Sequence, residues 1–388
     1  MKKFRDIYSF TPIQIKRVTE NLKSTKLIHR FVTYKPKNFG IVGVEIEVEG
    51  VPCKIGSPED YKPIHAPVPY AWAGKEDGSL RNYGIEYVSV PIRNWELPVA
   101  LELLAQHLEA CPTHDFSPRC GTHFHVNVRD FTDEDLTYFL MYYMIYEKFF
   151  FHLAGKERLN SYHCAPLTQV YIREYLLEIL GIPQNDDAYA HADKFSGWHK
   201  YTSLNLSSIP RFGTLEVRLL PGGYDWNKLC EFVDLILQLR NYIIKTDKKT
   251  LREDIINLNS YSNYYTLTLK VFNDLFAALP KLDYHATMRD AVCISKTLCH
   301  IIDETNKDKT HAIITITQLK GSYIEEKSVA YQRYLQKCKA FGAVQKPQKP
   351  KKVMTTDEML KAFSTSSSFT IDEYYSNPID VGTPAGNE

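Results

Sequence analysis

No segment of this 388-residue chain is apolar over the thickness of a bilayer. The most membrane-like run, Tyr138–Phe151, contains Glu147 and Lys148 and is too short to cross roughly 30 Å of hydrocarbon as a helix. Net charge is almost absent as well. With 47 lysines and arginines against 46 aspartates and glutamates, the chain has no global attraction for nucleic acid or an anionic membrane, and only a local patch can serve that purpose. Cysteine is sparse: eight residues with no paired zinc-finger spacing exclude a disulfide-stapled scaffold and fit a reducing compartment. The opening MKKFRDIYSF runs into the polar TPIQIKRVTENLKS instead of the apolar core of a secretory leader, so the expected location is cytoplasmic. Also missing are a Walker G-x-x-x-x-G-K-Ser/Thr loop, a dinucleotide-binding G-x-G-x-x-G turn, an H-E-x-x-H helix and a G-x-S-x-G elbow. Any nucleotide chemistry must therefore use a different scaffold.

What the chain does contain is alternation. In Gly43–Gly50, GVEIEVEG, Glu45, Glu47 and Glu49 alternate with Val44, Ile46 and Val48, which as a β-strand sends acids to one face and aliphatics to the other. Two carboxylates about 4 Å apart repel by roughly 4 kcal/mol at an effective dielectric of about 20. Solvation of the face dilutes that repulsion and a divalent cation reverses it, so a solvated face and a metal face both explain the pattern. Gly121–Arg129, GTHFHVNVR, alternates in the same way, with His123, His125 and Asn127 opposite Phe124, Val126 and Val128. Strand character recurs in GIEYVSVP at Gly84–Pro91, in Tyr201–Ser207 with Asn205 on the polar side, and in Thr214–Leu220 with Glu216 and Arg218 opposite Leu215, Val217 and Leu219.

Helices are expected over Trp95–Ala110, after the Thr132/Asp135 capping pair, and over Lys228–Ile244. Polar-faced strands followed by apolar-striped helices predict an α+β fold: a curved, largely antiparallel sheet with helices on its apolar side and a cleft on its polar side. The expected divisions are an N-terminal arm over 1–39, a core over 40–250 that includes an insertion at 152–195 without chemical signature, a helical lobe over 251–344, and a basic, polar tail over 345–388 that begins with QKPQKPKK. Within the core, Val51–Gly74 reads as a long excursion whose Tyr61, Tyr70 and Trp72 can cover a pocket.

The ordered set GVEIEVEG (43–50), KEDGSL (75–80), GIEYVSVP (84–91), RCGTHFHVNV (119–128) and TLEVR (214–218) resembles the amidoligase family, itself similar to glutamine synthetase and glutamate–cysteine ligase. The resemblance implies a glutamine-synthetase-like catalytic sheet and ATP- and Mg2+-dependent joining of a carboxylate to an amine through an acyl phosphate. It implies Glu45, Glu47, Glu86, His123 and Glu216 as metal ligands, with His125 and Arg218 toward phosphate and Asp77 toward the incoming amine. Carboxylate oxygens suit Mg2+, and imidazole can ligate a metal or donate to phosphate. Simpler readings stand beside these roles: an Asp-Gly turn for Asp77, a salt bridge for Glu216 and Arg218, a backbone turn for Cys120–Gly121, and an outer or solvent-facing position for Glu49. Arg81, Arg119 and Arg211 are weaker phosphate or substrate candidates, since a surface cation is the simpler reading of each taken alone. Expected partners are amine- and carboxylate-bearing small molecules, peptides or envelope precursors, with a protein partner possible through the C-terminal region. The rival functions are a metal-dependent hydrolase or phosphotransferase, and an inactive binding or assembly protein.

Overall fold

The computed structural model describes residues 2–10, 34–51, 69–111, 113–155, 200–223 and 225–272 continuously, with shorter pieces at 12–13, 18, 32, 158, 162–167, 195, 198 and within 289–298. Seven strands form one sheet: β1 (Ile41–Val48), β2 (Trp72–Glu76), β3 (Ile85–Ser89), β4 (Ile92–Arg93), β5 (Gly121–Asn127), β6 (Leu204–Asn205) and β7 (Thr214–Pro221). Their order is β2-β3-β1-β5-β7-β6, with β4 beside β1, and every strand pairing is antiparallel. The described helices are α1 (Phe4–Ile7), α2 (Leu97–Glu109), α3 (Asp133–Ala154), α4 (Ile209–Phe212), α5 (Trp226–Lys245), α6 (Lys248–Ile256) and α7 (Tyr261–Phe272).

Alternation produces the two faces. Val42, Val44, Ile46 and Val48 of β1, Phe124 and Val126 of β5, and Leu215, Val217 and Leu219 of β7 are all buried on one side. Each such side chain contributes on the order of 1.5–3 kcal/mol by leaving water. Helices α2, α3 and α5 cover this face, and Phe232 of α5 bridges Phe124 of β5 at 6.1 Å and Phe150 of α3 at 5.9 Å between ring centroids. The expected capping pair starts α3: Thr132 Oγ1 accepts from the Asp135 amide at 3.1 Å, and Asp135 accepts from the Thr132 amide at 2.8 Å. Glu147, which interrupts the apolar run of α3, is fully buried and accepts from the Leu167 amide (2.7 Å) and the Ser203 hydroxyl (2.5 Å), so it ties the polar-side segments to the core. Among the described residues no helix is long and apolar enough to cross a membrane.

The sheet corrects the expectation of a curved, glutamine-synthetase-like one. It is open: β2 and β6 are separate edges, and neither pairs with the other to curl or close it. Alternation determines which face is buried but says nothing about closure. Closure would require pairing between a five-residue edge and a two-residue edge, and only one register shift, between Thr122 and Phe124 against β7, interrupts the ladders.

Other boundaries move for local reasons. The strand expected over Tyr201–Ser207 shortens to Leu204–Asn205, because Thr202 Oγ1 donates to the Leu204 carbonyl and Asn205 Oδ1 accepts from both the Ser207 amide and hydroxyl. The Ile209–Gly213 turn contains one helical turn that ends at Gly213, φ +68°, a left-handed position suited to glycine. Trp72 lies in β2 and donates to the Ala100 carbonyl at 2.8 Å on the core side, so it does not cover the polar cleft. Phe272 of α7 packs at 5.0 Å from Tyr146 and 6.2 Å from Phe149, which fastens α7 to α3. Tyr61, most of the 152–195 insertion, most of the 273–344 segment and all of the 345–388 tail lie outside the described residues.

Candidate active site

Antiparallel register brings the polar residues together. Glu45 stands opposite His123, Glu47 opposite Glu86, His125 opposite Glu216, and Glu216 opposite Asn205. Directly opposed residues share a face, so four strands deliver carboxylates and imidazoles to one patch. Two trios result, Glu45/His123/Glu216 and Glu47/Glu86/His123, and within each trio one ligand atom per residue lies within 4.8 Å of the others.

His123 joins the trios. Its side chain is 2% exposed and neither ring nitrogen has a hydrogen-bond partner. Nδ1 is 3.7 Å from Glu45 Oε2 and 3.6 Å from Glu216 Oε1, beyond a normal hydrogen bond. A buried polar group left unpaired costs about 1–3 kcal/mol, whereas a divalent ion bound at roughly 2.0–2.2 Å from nitrogen and oxygen would use both groups. Three of the flanking carboxylates are oriented from outside. Glu47 accepts from the Gly121 amide at 2.5 Å, Glu216 accepts from Asn205 Nδ2 at 2.7 Å and pairs with Arg218 Nη1, and Glu45 is 3.3 Å from His125 Nε2. His125 Nδ1 in turn lies 3.0 Å from Thr214 Oγ1. This supporting layer is what a metal site needs to hold its ligands in place.

The charges respond to these neighbours. Burial alone would raise the Glu45 carboxyl, but His123 and His125 outweigh it and hold Glu45 well below the usual carboxylate range. Glu216 is likewise lowered against the effect of burial, by Arg218 and then the two histidines. Burial works against the His125 imidazolium, yet Glu45 and Glu216 raise its pKa overall. Glu86 goes the other way: burial first, then the charge of Glu45, push it up to about 7, with Lys75 only partly opposing. An acid with a raised folded-state pKa stabilises the fold at low pH and loses that contribution as pH rises from its unfolded value of 4.5 toward about 7. We therefore expect the melting temperature of chelator-treated protein to fall across that window, the slope to flatten in Glu86→Gln, and a saturating divalent cation to flatten it in wild type. A scanning-calorimetry series in pH checks all three; an unchanged slope in Glu86→Gln contradicts the placement.

Above this patch is a cleft of about 160 Å³. Glu47, Glu86 and His123 contribute its acidic side, and Asp77 and Ser79 enter from the turn after β2. Asp77 Oδ1 accepts from the Ser79 amide at 2.7 Å, so the Asp-Gly turn and the cleft position coexist. The lining also includes Arg119, Arg158, His163, Lys200, Tyr201 and Arg218. Arg81 and Arg211 are not in the lining: both side chains are exposed, and the Arg211 guanidinium lies 4.8 Å from the Phe212 ring centroid. Glu49 is buried and accepts from the Arg81 amide at 2.7 Å, which replaces its solvent-facing reading with an anchoring one. Cys120 is buried beside Ser117, and burial pushes its thiol up to about 11, so it is a packed thiol outside both trios. Arg158, His163 and Lys200 had no sequence signal, since no spacing to the strand motifs marks them.

Residues 71–239 match the family model described as "Putative amidoligase enzyme". By this match the function is enzymatic and of ligase type. The matched span is less than half of the chain and runs from β2 into α5; it includes Glu86, His123, His125, Glu216 and Arg218, whereas Glu45 and Glu47 of β1 precede it. The family description names neither glutamine synthetase nor glutamate–cysteine ligase. No curated protein matches the chain.

Proposed function

We propose that the polar face of the sheet joins a carboxylate to an amine at the expense of ATP, with Mg2+ and an acyl phosphate on the path. One observation carries this reading: a buried acid–imidazole cluster with unpartnered ring nitrogens shares a single cleft with arginines, and most of it lies in the amidoligase-like region. Phosphoryl transfer needs both metal ligands and fixed cations around the transferred group. Glu47, Glu86 and His123, and Glu45, His123 and Glu216, are the sets that would hold the ion. When bound, Mg2+ supplies positive charge to phosphoryl oxygens.

The chain's own residues do the rest. The substrate carboxylate oxygen attacks the terminal phosphorus, the bond from phosphorus to the bridging oxygen breaks, and ADP leaves. Arg218 stabilises the charge that develops on the phosphoryl oxygens. The amine nitrogen then attacks the acyl carbon, the carbon–oxygen bond to phosphate breaks with its electron pair, and inorganic phosphate leaves as the amide forms. Asp77, at the cleft edge, takes the proton the amine loses. His125, with both nitrogens engaged by Glu45 and Thr214, acts by positioning Glu45.

Incubating the full chain with ATP, Mg2+ and a mixed pool of amines and carboxylates should give one new amide by mass spectrometry, with ADP and phosphate in equal amounts. ADP and phosphate with no amide across credible pools would instead favour a hydrolase, and transfer of phosphate to another acceptor a phosphotransferase.

A further inference from the structure

We propose that Arg158 is a second guanidinium of this site, a receptor for the terminal phosphoryl oxyanion of the nucleotide; the inference rests on the phosphoryl-transfer reading above. The Arg158 side chain lines the cleft and is 2% exposed, although the residue comes from a part of the chain with no recognisable motif. Its Nη2 donates to the Arg218 carbonyl at 3.1 Å, the side chain also interacts with Cys164, and among the described residues its buried Nε has no partner. Among the described residues no carboxylate forms an ion pair with it. A guanidinium does not give up its proton, and with no carboxylate in ion-pair contact its charge is offset only at longer range, by Glu47, which is unfavourable for a buried group unless an anion arrives.

The surroundings indicate which anion. Arg218, the neighbouring cation, already pairs with Glu216, so it cannot neutralise a multiply charged ligand alone. A Cβ on Gly121 would stand 3.1 Å from Arg158 Nη2 and 2.6 Å from His123 Nε2; the bare backbone there is what lets the guanidinium lie beside the imidazole. Arg158 thus borders the metal-type trios directly, where an oxyanion can face a cation on one side and a bidentate guanidinium on the other. His163 shares the wall. Burial first, then the charges of Arg158 and Arg218, lower it to about 4, in keeping with a wall that carries several cationic groups. A tetrahedral phosphoryl group with several charged oxygens suits this two-arginine wall better than a single carboxylate.

The test uses thermal unfolding of the full chain with Mg2+ at matched ionic strength, with inorganic pyrophosphate as probe. Wild type should gain about 3 °C or more at saturation. Arg158→Met should unfold at or above the wild-type temperature without anion, because it removes an unpaired buried charge, yet lose most of the pyrophosphate shift. Arg158→Lys keeps the charge without the fork and should retain part of the shift; it also serves if the methionine variant does not fold. Lys249→Met, at a lysine 84% exposed, should behave as wild type. An undiminished shift in both Arg158 variants, or no shift in wild type, overturns the proposal. Affinities for ADP and for the β,γ-imido analogue of ATP locate the contact: Arg158→Met should lose more than about 10-fold for the analogue and much less for ADP, and equal losses overturn the terminal assignment. An Arg158-dependent shift without ATP-dependent amide formation would sink the amidoligase reading alone, whereas wild-type amide synthesis by Arg158→Met would sink only the role of Arg158.

Discussion

Replacing His123 with alanine should lower Mn2+ affinity by about 100-fold or more and abolish ATP-dependent turnover, while changing the stability of the metal-free protein far less than a typical buried histidine would. Direction and contrast both follow from the geometry. His123 belongs to both ligand trios, so its loss damages each of them. Its ring nitrogens make no hydrogen bond, so the metal-free fold gives up packing but no polar partner. His125→Ala is the matched comparison. It removes contacts to Glu45 and Thr214 and so loosens a ligand without deleting one, and its effect on affinity should be smaller. Isothermal titration with Mn2+ on both variants checks the order; equal losses would mean that His123 is only a packed imidazole.

Arg218→Met should destabilise the fold by about 3–5 kcal/mol, the usual consequence of stranding one member of a buried ion pair. Glu216, 7% exposed, would then keep Asn205 as its close donor, while His123 Nδ1, at 3.6 Å, is too far for a good hydrogen bond. Adding Glu216→Gln removes the stranded charge, so the double variant should recover a substantial part of the loss. A double-mutant cycle by denaturant unfolding measures the coupling. If Arg218→Met costs less than about 1 kcal/mol, the pair behaves like a surface bridge and the site is wetter than its burial implies.

Much of the site could be read from period-two alternation, because the same pleat that buries Val44 and Ile46 must turn Glu45 and Glu47 the other way, and antiparallel register then places them against His123 and Glu86. The Thr132/Asp135 cap was equally legible, since both of its bonds are local. Curvature was not, because it depends on whether distant edges meet. The shortening of β6 was missed because Thr202, Asn205 and Ser207 satisfy backbone groups through their own side chains. Arg158 was invisible for another reason: a single arginine carries no period, and only the fold brings it beside His123 and Arg218.

The central claim is that the acid–imidazole face binds a divalent cation together with nucleotide phosphates. Pulsed electron paramagnetic resonance of the full chain with Mn2+ and ATP tests both halves at once. The account predicts a bound Mn2+ signal with phosphorus couplings from the nucleotide and a nitrogen coupling that disappears in His123→Ala. Phosphorus couplings alone, identical in wild type and His123→Ala, would contradict it.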